Sequence, residues 1–342
     1  MSEKRTDDVV LSVKDLHVNF YTNQRCNKVL KGVSFDIKRG KTLCVVGESG
    51  CGKSVTANSI LRLLPDLSRI ESGSITYYRD DGKEIRLDLL EKNGKEMRSL
   101  RGKDIAIIFQ DPMTALNPVY TVGHQIREIL KEHKHGLSKK QLKEESIRDL
   151  GAMGIPAPEI RDGEYPHQFS GGMRQRAMIA MGMSCEPKIL LADEPTTALD
   201  VTISAQIFDL MNNLKAEHGT AIMMITHNMG VVAEMADEVA VMYMGNIVEY
   251  GKVEDVFANP THPYTKALLA SIPVLGKGKN QQLEPIRGVT PDPFNRPKGC
   301  QFCPRCDYAT ERCETEMPDE EWVTEGHYTR CFNYRKVMAD GK

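Results

Sequence analysis

The chain has 342 residues, 27% of them charged and 40% hydrophobic, with a formal net charge of −2. That balance excludes a general nucleic-acid binder, which needs a basic excess, and the length exceeds one ordinary core. The polar start MSEKRTDD precedes no long apolar run, and no stretch approaches about eighteen consecutive apolar residues. A secretory signal and a membrane span are therefore not expected, and the nine cysteines should be mostly reduced.

The first element that carries chemistry is KTLCVVGESGCGKS, residues 41–54. Thr42–Val46 is short, apolar and partly β-branched, as a buried strand should be. Gly47 to Ser54 then fit G-x-x-x-x-G-K-S. In such a loop the glycines Gly47, Gly50 and Gly52 let backbone amides turn inward around phosphate oxygens, and the following helix N-terminus completes the nest. Ser49, Cys51 and Val55 line the same run, the Cys51 sulfur being incidental. Lys53 reaches the β- and γ-phosphates and the Ser54 hydroxyl sits on Mg²⁺. A bland Gly-rich turn would need neither the Lys-Ser pair nor the strand before it.

Further on, LSKKQLKEESIRDLGAMGI (137–155) spaces Leu142, Ile147 and Leu150 as a helix does, with charges between. QFSGGMRQR (168–176) joins a hydroxyl, Ser170, and two exposed backbone amides, Gly171 and Gly172, to a helical stretch. That combination makes a second anion site. One γ-phosphate does not need two such sites, whereas two copies facing head to tail can each complete the other's phosphate loop.

Within KILLADEPTTALD (188–200), Ile189–Ala192 is another apolar strand, and it ends in two adjacent carboxylates, Asp193 and Glu194. Asp193 is placed to hold hydrated Mg²⁺ and Glu194 to polarise an attacking water. AIMMITH (221–227) ends in His227, within reach of a γ-phosphate from a strand's C-terminal edge. The Pro-rich PDPFNRPKG (291–299) reads as an ordered but irregular connection. Five cysteines follow it: Cys300, Cys303, Cys306, Cys313 and Cys331. Their C-x₂-C-x₂-C start points to an iron–sulfur cluster, with Zn²⁺ as the rival, and five thiols for four places leave one spare. Cys26, Cys44 and Cys185 read as thiols that merely pack.

Taken in order, GESGCGKS, Gln110 in IIFQDP, FSGGMRQR, ILLADEP, ALD and ITH resemble the nucleotide-binding subunit of an ABC transporter, over roughly residues 10–255. DPMTALNPVYTVGHQI (111–126) and NPTHPYTKALLASIP (259–273) resemble the ATPases of oligopeptide and dipeptide importers. The resemblance implies an α/β fold: an ABC-type P-loop ATPase core, an antiparallel β subdomain, a helical subdomain at about 111–170, and an extension over 256–342 with a Cys-rich tail. It implies ATP and Mg²⁺ as ligands, Phe20 as the adenine-stacking aromatic with Tyr21 as fallback, and Gln110 on Mg²⁺ and the attacking water. It also places Asp200 against a partner subunit and assigns Glu194 and His227 to hydrolysis. The family's tail pattern selects Cys300, Cys306, Cys313 and Cys331 for a [4Fe–4S] cluster, with Cys303 spare. The partners implied are a paralogous ATPase in a heterodimer, two transmembrane permease subunits and, indirectly, an extracytoplasmic peptide-binding receptor, with the chain peripheral on the cytoplasmic face of the membrane. The alternatives are a soluble ABC-type ATPase of DNA repair or iron–sulfur assembly, and an exporter half.

Overall fold

Strand Thr42–Val46 is buried along its whole length, and its alternate side chains feed two separate cores. Cys44 and Val46 join one hydrophobic cluster, Leu43 and Val45 the other. A strand covered on both faces belongs inside a parallel sheet with layers packed above and below. The computed structural model of the protein describes residues 8–22, 25–196, 199–272 and 286–340 and has that architecture. Most of the MSEKRTDD start, Ala198 of the ALD segment and Pro273 at the end of the 259–273 stretch lie outside the described residues.

The strands in chain order are β1 (Val9–Thr22), β2 (Arg25–Lys38), β3 (Thr42–Val46), β4 (Ser68–Tyr78), β5 (Glu84–Arg86), β6 (Ile105–Ile108), β7 (Ile189–Asp193), β8 (Ala221–Thr226), β9 (Glu238–Tyr243), β10 (Asn246–Lys252), β11 (Glu321–Thr324) and β12 (His327–Thr329). Four form an antiparallel sheet in the order β2-β1-β4-β5, and eight form a second sheet in the order β11-β12-β10-β9-β3-β8-β7-β6. From β9 to β6 neighbouring strands run parallel, so the C-terminal ends of β3, β7 and β8 lie along one edge. That edge is where an open parallel sheet presents its ligands.

Among the described residues, the stretch 111–170 contains helices and no strand. The charged run at 137–155 forms the helix Lys139–Ala152, begun by a capping box between Ser138 and Gln141. It buries Leu142, Ser146 and Leu150, leaving Ile147 half-buried. The polar member of that stripe is satisfied: the Ser146 hydroxyl donates to Asp162 at 2.6 Å, and Arg127 binds the same carboxylate oxygen at 2.5 Å. A buried carboxylate needs such partners, and here they tie three segments of the helical subdomain together.

The tail borrows the motor's cores. β12 pairs with β10 and so continues the main sheet, Phe302 is buried in one core cluster and Tyr328 in the other. The junction is a buried Glu249 carboxylate on β10, which accepts from the Thr261 amide and hydroxyl, the His262 amide and His327 Nε2. His262 is also the N-cap of helix Pro263–Ala270, its Nδ1 accepting from the Tyr264 amide at 3.1 Å. Complete burial pulls the His262 imidazole down to about 4, so it caps as the neutral ring. These contacts give HPYTKALL a structural job. The Pro-rich 291–299 run is irregular, as its composition predicts.

Candidate functional site

The phosphate loop leaves β3 at Gly47 and enters helix Lys53–Ile60 through Gly52. A Cβ at Gly47 would stand 2.1 Å from the Met242 carbonyl oxygen on β9, so only glycine lets the loop lie against the sheet. Gly52 has φ 110° and a Cβ there would meet the Leu30 side chain at 2.7 Å. Lys53 is buried and folds back on the loop, its Nζ donating to the carbonyls of Gly47 at 2.8 Å and Glu48 at 3.1 Å. Cys51 is buried beside it, its Sγ 3.9 Å from Lys53 Nζ. Ser49 and Gly50 are exposed at the loop tip. Val55 packs at the margin of a core cluster.

Asp193, the last residue of β7, lies beside the Ser54 hydroxyl. Burial pushes its carboxyl up from the ordinary range, Ser54 and Lys53 pull it down, and the adjacent Glu194 pushes it up again. Its Oδ1 is buried and has no hydrogen-bond partner. A buried, unsatisfied carboxylate oxygen beside a serine hydroxyl fits a hard divalent cation such as Mg²⁺, which takes oxygen ligands.

Glu194 follows in a left-handed backbone conformation, φ 46°, fixed by its amide donating to the Ile225 carbonyl of β8 at 2.9 Å. Its side chain is held from two sides. Gln110 Nε2 donates to Oε2 at 3.0 Å, and His227 Nδ1 pairs with Oε1 at 3.0 Å. Three residues read separately from the sequence thus meet across the ends of β6, β7 and β8. A carboxylate oriented this way can accept a proton from a water, while Gln110 and the exposed His227 ring are placed to orient that water and a γ-phosphate.

The remaining sequence-derived residues lie elsewhere on the surface. Ser170 is the N-cap of helix Gly171–Met183, its Oγ accepting from the Met173 amide at 3.3 Å; Ser170 and Gly171 are exposed and Gly172 is half-buried. Asp200 caps helix Val201–His218 by accepting from the Ile203 amide at 2.9 Å, and it is exposed. Phe20 and Tyr21 take opposite faces of β1. Phe20 is half-buried against a core cluster, whereas Tyr21 is exposed, donates to Glu71 at 2.5 Å and has Arg69 5.6 Å from its ring.

In the tail, Cys300, Cys303, Cys306, Cys313 and Cys331 line one small space together with His262, Phe302 and Phe332. Polar groups approach the sulfurs: the Tyr308 amide donates to Cys306 Sγ at 3.4 Å, Asn333 donates to Cys313 Sγ at 3.8 Å, and the Thr310 hydroxyl pairs with Cys313 Sγ at 3.3 Å. Burial pushes the thiols of Cys306 and Cys331 up to about 12 and that of Cys300 to about 11. Among the described residues no group of three His, Cys, Asp or Glu side chains is arranged as a metal site. Of the three packing thiols, Cys44 is buried and Cys185 half-buried, but Cys26 is exposed because it stands on the solvent side of β2.

The ABC transporter family matches residues 30–197, and the C-terminal region of the oligopeptide/dipeptide transporters matches residues 248–313. The dipeptide transport ATP-binding protein DppD of Bacillus subtilis is 48% identical, over 94% of this chain and 94% of its own length. The chain belongs to the ABC transporter family, in its oligopeptide/dipeptide branch. It is an ATPase. A putative peptide import ATP-binding protein of Brucella ovis is 46% identical over 96% of this chain and 98% of its own. Among solved structures, a dimeric ATP-binding cassette bound to ADP and phosphate has a TM-score of 0.62 at 25% identity, covering 71% of this chain and 98% of that one. The match at 248–313 also disfavours the DNA-repair and iron–sulfur-assembly alternatives.

Sequence reasoning missed four residues around the loop. Glu48 occupies one of the unspecified positions of G-x-x-x-x-G-K-S, yet Arg305, Thr290 and Tyr264 of the extension all bind it. No periodicity marks such a contact; the only signal was that HPYTKALL and the CPRC turn stand in one chain with the loop.

Replacing Glu194 by Gln keeps the Gln110 and His227 neighbours but removes a carboxylate that can accept a proton. Glu194→Gln should lower steady-state phosphate release about 10²- to 10⁴-fold while MgATP binding stays within a few-fold of wild type. Turnover at the normal rate would remove Glu194 from the chemistry.

Proposed function

We propose that this ATPase, as the motor of a peptide importer, works in a heterodimer with a paralogous ATPase and drives two transmembrane permease subunits, fed by an extracytoplasmic peptide-binding receptor. Its place is then peripheral, on the cytoplasmic face of the membrane. Among the described residues no helix is long and apolar enough to cross a membrane, which agrees with that division of labour. The motor spans residues 1–255 with the helical subdomain at about 111–170, and 256–342 form the extension.

The observation that carries the reading is the exposed Ser170–Gly171 turn at the start of a 13-residue helix. A hydroxyl, open amides and a helix N-terminus facing solvent form an anion site that lacks its anion partner within the motor's own hydrolytic edge. In the proposed dimer Ser170, Gly171 and Gly172 cover the partner's nucleotide, the partner's equivalent turn covers Lys53 and Ser54, and Asp200 lies at the contact. Phe20, or the more exposed Tyr21, stacks on adenine. Lys53 exchanges its loop carbonyls for phosphate oxygens. Mg²⁺, held by Ser54, Asp193 and Gln110, would neutralise phosphate charge. Glu194 takes the proton from the attacking water, and His227 and Gln110 keep it aimed. ATP favours the closed pair because both chains contact it, so hydrolysis removes the bias and lets the pair open.

An apolar groove between the core and the helical subdomain, lined by Leu61, Leu63, Ile107, Phe109, Ala115 and Met178, supports docking of a permease element. A [4Fe–4S] cluster on Cys300, Cys306, Cys313 and Cys331, with Cys303 spare and Zn²⁺ as the alternative metal, is part of the proposal; these cysteines line one space, but among the described residues they are not gathered as a metal site.

In membranes carrying the complete transporter, Lys53→Ala should abolish receptor-dependent peptide uptake while the complex still co-purifies; uptake at the wild-type rate would contradict the motor assignment. Chain purified without oxygen should absorb in the visible region and contain about four irons. Cys306→Ser should lose that metal and Cys303→Ser should keep it. Stoichiometric zinc without iron would replace the cluster, and neither metal would leave the tail a thiol cluster alone.

A further inference from the structure

Three segments of the extension converge on Glu48, a side chain that the phosphate chemistry does not use. Arg305 donates from Nη1 to Oε2 at 2.6 Å and from Nη2 to Oε1 at 3.0 Å, a two-pronged ion pair. The Thr290 hydroxyl donates to Oε2 at 3.2 Å, and the Tyr264 hydroxyl accepts from the Glu48 amide at 2.8 Å. Arg305 is itself held on every side. Its Nε donates to the Arg287 carbonyl at 2.9 Å, Nη1 reaches the Tyr243 hydroxyl at 3.3 Å, and its side chain is only 3% exposed. Beside it, Arg296 donates to the Met244 carbonyl at 2.5 Å, on the sheet end behind the loop.

Charge gives this contact a purpose. The loop gathers amides and Lys53 to receive a polyanion, and an uncompensated carboxylate at Glu48 would repel the incoming phosphates. Arg305 neutralises it. The extension also holds the backbone here: Tyr264 takes the Glu48 amide, and Lys53 holds the carbonyls of Gly47 and Glu48 on either side. Arg305 ends the short turn Cys303–Arg305 and directly precedes Cys306, so the cavity of cysteines and the phosphate loop are joined through one side chain.

We propose that Arg305 is a positioning residue for nucleotide binding, acting through Glu48, and that the cysteine-lined turn and the nucleotide thereby stabilise one another. The inference rests on reading residues 47–54 as the nucleotide loop. Because coupling between two sites is reciprocal, bound nucleotide must also quieten the turn and protect its thiols.

The test uses the full chain with Glu194→Gln to prevent turnover, and measures MgATP affinity and alkylation of Cys303 by iodoacetamide, read by mass spectrometry. Arg305→Met should weaken MgATP binding about tenfold, the loss expected when a charge-assisted pair is broken. Arg305→Lys should recover part of it. Adding Glu48→Gln to Arg305→Met should restore affinity to within about threefold of the starting chain, since the bare carboxylate is gone. MgATP should slow Cys303 alkylation in the starting chain and not in Glu48→Gln alone, a variant that leaves the arginine and all cysteines in place and so reports even if Arg305→Met fails to fold. An unchanged MgATP affinity in folded Arg305→Met, or nucleotide protection that survives Glu48→Gln, would overturn the inference. A starting chain that binds no MgATP at all would instead reject the nucleotide-loop reading beneath it.

Discussion

Everything in this chain is arranged around the pressure of the phosphate loop against the end of the central sheet. Gly47 lies so close to the Met242 carbonyl of β9 that no side chain fits, and the Cys51 carbonyl accepts from the Gly245 amide at 2.8 Å. The loop is thereby pinned to the sheet before any ligand arrives. Preorganised donors cost no rearrangement when charge is delivered to them, which is why a rigid loop suits a site for phosphates. With β3 between β9 and β8, and β7 beside β8, the same edge receives Asp193, Glu194 and His227. Gln110 comes in from the end of β6.

Strain and pairing then divide the labour between two adjacent acids. Asp193 is buried with one oxygen unmatched, whereas both oxygens of Glu194 are engaged by Gln110 and His227. A neighbouring pair on a regular strand would point to opposite faces. The left-handed turn at Glu194 breaks that alternation and brings its carboxylate back toward the site. Such a conformation costs on the order of 1 kcal/mol, and the Ile225 contact helps to hold it.

Much of this was legible in the sequence because it depends on local pattern. The apolar runs at 42–46, 189–192 and 221–227 became the parallel strands Thr42–Val46, Ile189–Asp193 and Ala221–Thr226, and the residues at their ends meet at one edge. The charged run at 137–155 became a capped helix, although its buried stripe takes in Ser146 and leaves Ile147 half out, since Asp162 and Arg127 give the hydroxyl partners. What stayed hidden was long-range. The tail's strands join the motor's own sheet, and Arg305 reaches back 257 positions to Glu48. Neither follows from spacing, because a bidentate ion pair and strands of three and four residues leave no periodic trace. Cys26 shows the converse, a thiol of an apolar-leaning residue type that the strand register turns outward.

In the proposed pair, the Ser170–Gly172 turn of one protomer closes over the phosphate loop of another. A photo-crosslinking amino acid at Gly171, in the assembled transporter carrying Glu194→Gln, tests it most directly. With MgATP present, mass spectrometry should place the adduct on the partner ATPase's phosphate loop, and without nucleotide that adduct should vanish. Adducts formed equally with and without MgATP, or falling only on this chain's own residues, would contradict the claim.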